Sequence, residues 1–275
     1  MSVTAGIDVG SSAIKVVLMN NESTVHEIIS KEVQRIRRRD VKKAIRDSYE
    51  NALAKAGLKE SDIDYVAATG EVELVDFKQG HFYGMTTHAR GAKYFFDDTG
   101  TVADIGALHL RAIAIDKDSK VLRYKMTGQC ASSSGQFIEN IIRYLGLRMD
   151  EVSDLALKSQ NPQRISSICA VLGETDVINM VSKQVPIEDV MMGILESIAA
   201  RLVKLLRNLN AESPITFTGG LAASKGMIKA IQTILAEEGM DYKLQTHEDA
   251  ICAGAIGAAI WSGVRLKKSR LNNVG

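Results

Sequence analysis

The chain has 275 residues, 45% of them hydrophobic and 24% charged, with a formal net charge of +1. That length can bury one large core or two smaller ones, and the charge balance gives no electrostatic case for nucleic acid or an anionic membrane as the main partner. The short basic clusters Arg35 to Arg39 and Arg265 to Arg270 read as solvated surface. The N-terminus lacks a charged region followed by an apolar run, and the longest apolar run, Ala250 to Trp261, falls short of the ~20 residues that cross a bilayer. A cytoplasmic protein is therefore expected. Three cysteines without close pairing make no disulfide framework and are either buried small residues or ligands.

In chain order, Thr4 to Val9 reads as a strand, Gly10-Ser11-Ser12 as a tight turn, and Ala13 to Met19 as a second strand. Asn20-Asn21 turns into a third strand, Thr24 to Ser30. The period then changes: Val41, Ile45, Tyr49, Ala52, Leu53 and Ala56 share one helical face, and Gly57 is a natural stop. Ile63 to Thr69 returns to strand.

Near Thr99 the pattern restarts. Val102-Ala103-Asp104-Ile105-Gly106 echoes Gly6-Ile7-Asp8-Val9-Gly10, with further strands at Leu110 to Ile115 and Val121 to Met126. Helices follow at about Ser134 to Leu145 and Glu188 to Leu209, the second with a continuous apolar side. Pro214 to Thr218 is a strand ending in Gly219-Gly220, and two helices, about Ala222 to Glu238 and Asp249 to Trp261, close the chain. Two copies of one strand–turn–strand–strand–helix unit predict a duplicated α/β fold with a nucleotide cleft between its halves, 1–97 and 98–275. The last helix could pack back on the first half.

Each Asp-x-Gly turn has a chemistry. Gly and Ser between two strands can aim backbone N–H groups at a phosphate, and a carboxylate at the strand end can hold Mg²⁺ directly or through water. The candidates are Asp8, Gly10, Ser11, Ser12 and Lys15 in the first turn, with Lys15 as a point charge on phosphate, and Asp104 and Gly106 in the second. Gly219 and Gly220 would let the chain pass beneath an adenine or ribose. GIDVGSSAIK, VADIGAL and FTGGLA together resemble the first phosphate, second phosphate and adenosine motifs of the acetate kinase, sugar kinase, Hsp70 and actin superfamily, and the likeness spans nearly the whole chain. It implies the duplicated ribonuclease H-like fold, with ATP and Mg²⁺ as ligands.

Two stretches are unusual for that superfamily: GQCASSSGQFIEN and SSICAVLGETDVI. Both look like the BadF/BadG/BcrA/BcrD activator ATPase family, which includes the small ATPase subunits of benzoyl-CoA reductase and the activators of 2-hydroxyacyl-CoA dehydratases. The resemblance implies that Cys130 and Cys169 are metal ligands, donating one pair of thiolates to a [4Fe–4S] cluster shared between two subunits. A cluster of that kind takes four thiolates and this chain offers two such candidates, so two chains would complete the set. The predicted helix after Cys130 should present N-terminal N–H groups that stabilise a thiolate. Cys252, in an Ala/Gly-rich helix, reads as a core residue, and His88 has no assigned role.

One departure bears on mechanism. Dehydratase-type activators of this family continue the second phosphate motif as Gly-Gly-Gln-Asp, whereas this chain has Gly106-Ala107-Leu108-His109. Leu108 cannot orient a water. This form resembles the D-type subunit of benzoyl-CoA reductase. That likeness implies an oxidoreductase subunit that passes low-potential electrons from a ferredoxin to two catalytic subunits binding a CoA thioester. A paralogous A-type ATPase subunit would share the cluster. Nucleotide binding is expected of this chain, and turnover by it is left open. The alternatives are a homodimeric dehydratase activator and, from a different class, a small-molecule kinase.

Overall fold

In the computed structural model, which describes residues 2–22, 26–36, 40–128, 135–166 and 170–272, the chain forms two compact units. The first comprises Met1–Asp98, Lys117–Val121 and Asp249–Gly275, and the second Thr99–Asp116 and Leu122–Glu248. Sequence order alone would divide the chain once, whereas the C-terminal segment belongs to the first unit.

The first unit is built on a five-stranded sheet of β1 (Val3–Val9), β2 (Ala13–Asn20), β3 (Glu27–Arg35), β4 (Tyr65–Gly70) and β5 (Gly80–His81), in the order β3-β2-β1-β4-β5. The strand β1 is antiparallel to β2 and parallel to β4. It is buried along its whole length, because helices cover both faces of the sheet. Alternate residues Ile14, Val16 and Leu18 share a core with Ile45, Tyr49 and Leu53 of α1 (Val41–Ala56). Val17 and Met19 pack with Ala255, Ile256 and Ala259 of α8 (Ala253–Asn272). The helix α1 starts where the Asp40 side chain accepts from Lys43 N and ends at Gly57, whose φ of 66° needs no Cβ. On the α8 side, a Cβ on Gly6 would lie 2.6 Å from Ala259 N, so glycine there lets helix and strand approach closely.

The second unit repeats the plan with β6 (Thr101–Ile105), β7 (Leu110–Ile115), β8 (Val121–Met126), β9 (Ile215–Thr218) and β10 (Leu244–Gln245), in the order β10-β9-β6-β7-β8. Read from the other edge, that is the order of the first sheet. The long α6 (Ile187–Leu209) packs on β7, on α4 (Met149–Ala156) and on α7 (Lys225–Glu237). Two further helices, α3 (Gly135–Leu145) and α5 (Ala170–Ser182), complete the unit, and α2 (Gly84–Phe95) belongs to the first.

The sequence pattern does not reveal α2, α4 or α5. Gly84, Gly91 and two threonines lower the helix propensity of α2, and α4 spans only eight residues. In α5, Val171, Leu172, Ile178 and Val181 are exposed while Gly173 and Val177 are buried, so no single apolar stripe marks it. The third strand runs on to Arg35, past the Ser30 end that the pattern suggests, and its first expected residues, 24 and 25, lie outside the described ones. The last helix continues beyond Trp261 through its basic turn to Asn272. Ala250–Arg270 is long and apolar enough by composition to span a membrane, but 67% of that window is buried, which makes it a core helix.

Candidate nucleotide site

The two Asp-x-Gly turns have the same construction. In the first, Gly10 N donates to Ala13 O at 3.1 Å; in the second, Gly106 N donates to His109 O at 3.0 Å. The amides of Ser11 and Ser12, and of Ala107 and Leu108, donate to no described residue, which leaves pairs of N–H groups for an anion at each tip. Ser12 Oγ is buried without a hydrogen-bond partner among the described residues. That is a donor set a phosphate would satisfy.

Each turn is backed by a buried carboxylate with a cation opposite it across the hairpin. Asp8 pairs in register with Lys15, and Lys15 Nζ lies 3.1 Å from Asp8 Oδ2. Asp104 pairs with Arg111, whose Nη1 lies 3.3 Å from Asp104 Oδ2. Both carboxylates are almost fully buried, so each depends on its cation to offset desolvation. The parallel neighbour completes the pattern: Asp8 lies beside Thr69, and Asp104 beside Thr218. Each threonine precedes a glycine in the left-handed region, Gly70 at φ 80° and Gly219 at φ 94°. A Cβ would lie 3.3 Å from Asp8 Oδ1 at Gly70 and 2.5 Å from Asp104 Oδ1 at Gly219. These carboxylates, cations and amides suit a phosphate with Mg²⁺, which Asp8 or Asp104 would hold directly or through water.

Among the expected site residues, the first unit gathers Asp8, Gly10, Ser11, Ser12 and Lys15, and the second gathers Asp104, Gly106 and Gly219. Gly220 has no atom within 4 Å of where a Cβ would stand, which leaves open space on that side. Arg111, Thr69, Gly70 and Thr218 do not stand out in the sequence. The seven-residue spacing of Asp8 to Lys15 recurs in Asp104 to Arg111 and could have revealed the arginine.

Cys130 and Cys169 lie outside the described residues, and no cluster of metal-ligating side chains occurs among the described ones. The helices that follow the two cysteines are described. Gly173, in the first turn of α5, faces the Phe137 ring in the first turn of α3, where a Cβ would lie 2.8 Å from Phe137 Cζ. Of the four N–H groups that open α3, the first two have acceptors of their own. Gly135 N donates to Gly106 O at 3.1 Å and Gln136 N to Ala107 O at 2.9 Å, so these two donors are already used by the second turn. Cys252 is a buried core thiol; burial, then the Asp249 carboxylate, pushes its pKa up to about 11.

Two five-stranded sheets of matching order, each ending in a phosphate-type turn, define an α/β ATPase fold of the actin, Hsp70 and sugar kinase kind. The chain belongs to the BadF/BadG/BcrA/BcrD ATPase family, whose model matches residues 5–262. It is 50% identical to the D-type subunit of benzoyl-CoA reductase from Thauera aromatica, over 98% of this chain and 95% of that one. Among solved structures it is similar to the activator of the 2-hydroxyisocaproyl-CoA dehydratase from Clostridium difficile with bound ADPNP (TM-score 0.88, 26% identity, 98% of this chain and 97% of that one). A ROK family glucokinase from Streptomyces griseus shares the fold at a TM-score of 0.56 and 14% identity, over 95% of this chain and 99% of that one.

Proposed function

We propose that this chain is the ATP-dependent electron-activating subunit of a benzoyl-CoA reductase, working with a paralogous A-type ATPase subunit and two catalytic subunits that bind the CoA thioester. Asp8 and Asp104 would hold Mg²⁺ and orient phosphate, with Lys15 and the turn amides binding the phosphate oxygens. Cys130 and Cys169 would each give a thiolate to a [4Fe–4S] cluster completed by the paralogue. When bound, that group supplies one-electron transfer at low potential, drawn from a ferredoxin.

One observation carries the reading: the second turn holds the first two amides of α3. The helix that follows the Cys130 segment is thereby tied to the residues that would sense phosphate. Its first turn also touches that of α5, which follows Cys169. A shift of Gly106 and Ala107 on nucleotide binding would move α3 with them. The 50% identity to the D-type benzoyl-CoA reductase chain supports the choice of system.

The dehydratase activators favour a second reading, a homodimer that activates a 2-hydroxyacyl-CoA dehydratase. Leu108, exposed at the tip of the second turn where those activators place a glutamine, counts against it. Reconstitution separates the two. The chain combined with an A-type subunit and the catalytic pair should support MgATP- and ferredoxin-dependent reduction of benzoyl-CoA, and omitting it should abolish that reduction. Activation of a 2-hydroxyacyl-CoA dehydratase by the chain alone would favour the second reading.

A further inference from the structure

The chain between β8 and α3 leaves the second turn and returns to it. At its far end, Gly135 N and Gln136 N donate to the carbonyls of Gly106 and Ala107. At its near end stands Thr127, the residue after β8. All three of its hydrogen-bonding groups go to the residues that open β7. Thr127 N donates to Leu110 O at 3.0 Å, Thr127 Oγ1 accepts from Leu110 N at 3.1 Å, and His109 Nδ1 lies 3.3 Å from Thr127 O. A carbonyl oxygen only accepts, so that ring nitrogen carries the proton and donates it.

An ordinary ladder would end differently. Five residues join β7 to β8, so these neighbouring strands are antiparallel. Residues paired across such a ladder exchange two backbone bonds, each N–H going to the other's carbonyl. Here the backbone makes one of the two, and the threonine hydroxyl stands in for its own carbonyl in the other. Leu110 is fully buried, so its N–H must have an acceptor. The hydroxyl supplies it and leaves the Thr127 carbonyl to His109, whose own carbonyl accepts from Gly106 N and closes the second turn. Strand pairing stops at Thr127, and the chain departs from the sheet while still bonded to the turn. Residues 129–134, which include Cys130, thus run between two anchorages on one hairpin.

We propose that Thr127 is a positioning residue whose hydroxyl ends the strand and fastens the near end of the Cys130 segment to the second turn, so that both ends of the segment follow that turn when it takes phosphate. This rests on reading the turn as a nucleotide contact. A phosphate held by the Ala107 and Leu108 amides favours the closed hairpin, and the amides bonded to that hairpin then open less often. Valine has the shape of threonine without the hydroxyl. In Thr127→Val, Leu110 N takes the backbone carbonyl instead, His109 loses its acceptor, and the near end leaves the sheet in another direction.

The test is hydrogen exchange of the peptide 127–136 in the full-length chain, with and without a non-hydrolysable ATP analogue and Mg²⁺. Affinity for the analogue is measured alongside by titration. The chains compared are wild type, Thr127→Val and Thr127→Ser. In wild type the nucleotide should slow exchange of the peptide by about tenfold. Thr127→Val should lose most of that response while its affinity for the analogue stays unchanged; Thr127→Ser, which keeps the hydroxyl, should keep the response. A threonine that merely braced the fold would, on substitution, raise exchange equally in both conditions and leave the response in place, and that result would overturn the proposal. If Thr127→Val fails to fold, His109→Phe removes the same anchorage from the other side, and a response retained there overturns the proposal too. A wild-type chain that binds the analogue with no change in the peptide overturns the role of Thr127 alone. A wild-type chain that binds no analogue overturns the nucleotide reading beneath it.

Discussion

The two hairpins share a backbone plan and differ in what surrounds it. Each has an Asp at the end of its first strand, a Gly that closes the turn, a cation seven residues on, and a Thr-Gly from the parallel neighbour. The first turn carries hydroxyls at Ser11 and Ser12, and its carboxylate lies beside Gly254 of α8. The second carries Ala107 and Leu108, and the carbonyls of Gly106 and Ala107 are taken by the start of α3. One backbone device thus occurs twice. In our reading the first copy specialised in gripping the nucleotide, and the second in passing its presence to α3.

That contrast can be broken in several ways. The largest effect should come from Asp8→Asn, which removes the proposed metal ligand; Mg²⁺-nucleotide affinity measured by titration should fall on the order of 100-fold. Gly219→Ala comes next. Its φ of 94° and the 2.5 Å approach to Asp104 Oδ1 should cost about 2–4 kcal/mol in urea unfolding, whereas Gly220→Ala, with open space around it, should stay near wild type. Arg111→Met leaves the Asp104 carboxylate buried beside no arginine, and should cost about 2–3 kcal/mol by the same measurement.

An effect of comparable size, confined to alkaline pH, is expected at Cys252. Its folded pKa of about 11 lies above the ordinary thiol value, so the unfolded chain releases the proton first as pH rises. The stability tied to the neutral thiol is complete below about pH 8.5 and is lost progressively toward pH 11, by about 2–3 kcal/mol in all. Urea unfolding of wild type against Cys252→Ala across that range should show the wild type falling more steeply.

Much of this was legible in the sequence because it is local. Asp8-Val9-Gly10 and Asp104-Ile105-Gly106 sit at the ends of apolar runs, and Gly57 closes a helix whose apolar face reads at period 3.6. What was not legible depends on register and on crossings between distant segments. Thr69 matters because β4 pairs in parallel with β1, and α2 meets α8 closely because Gly91 and Gly257 have no side chains. Neither relation leaves a trace in the spacing of nearby residues. The acceptors of the first two α3 amides are hidden for the same reason: Gly106 O and Ala107 O lie almost thirty residues upstream.

The central claim is that Cys130 and Cys169 serve a metal centre shared with a second ATPase chain. Its most direct test is iron and acid-labile sulfide in the complex purified without oxygen, for wild type and for Cys130→Ser. The expected result is about four irons and four sulfides per pair of ATPase chains, lost in the variant. A colourless wild-type complex, or a Cys130→Ser complex with its iron intact, would contradict it.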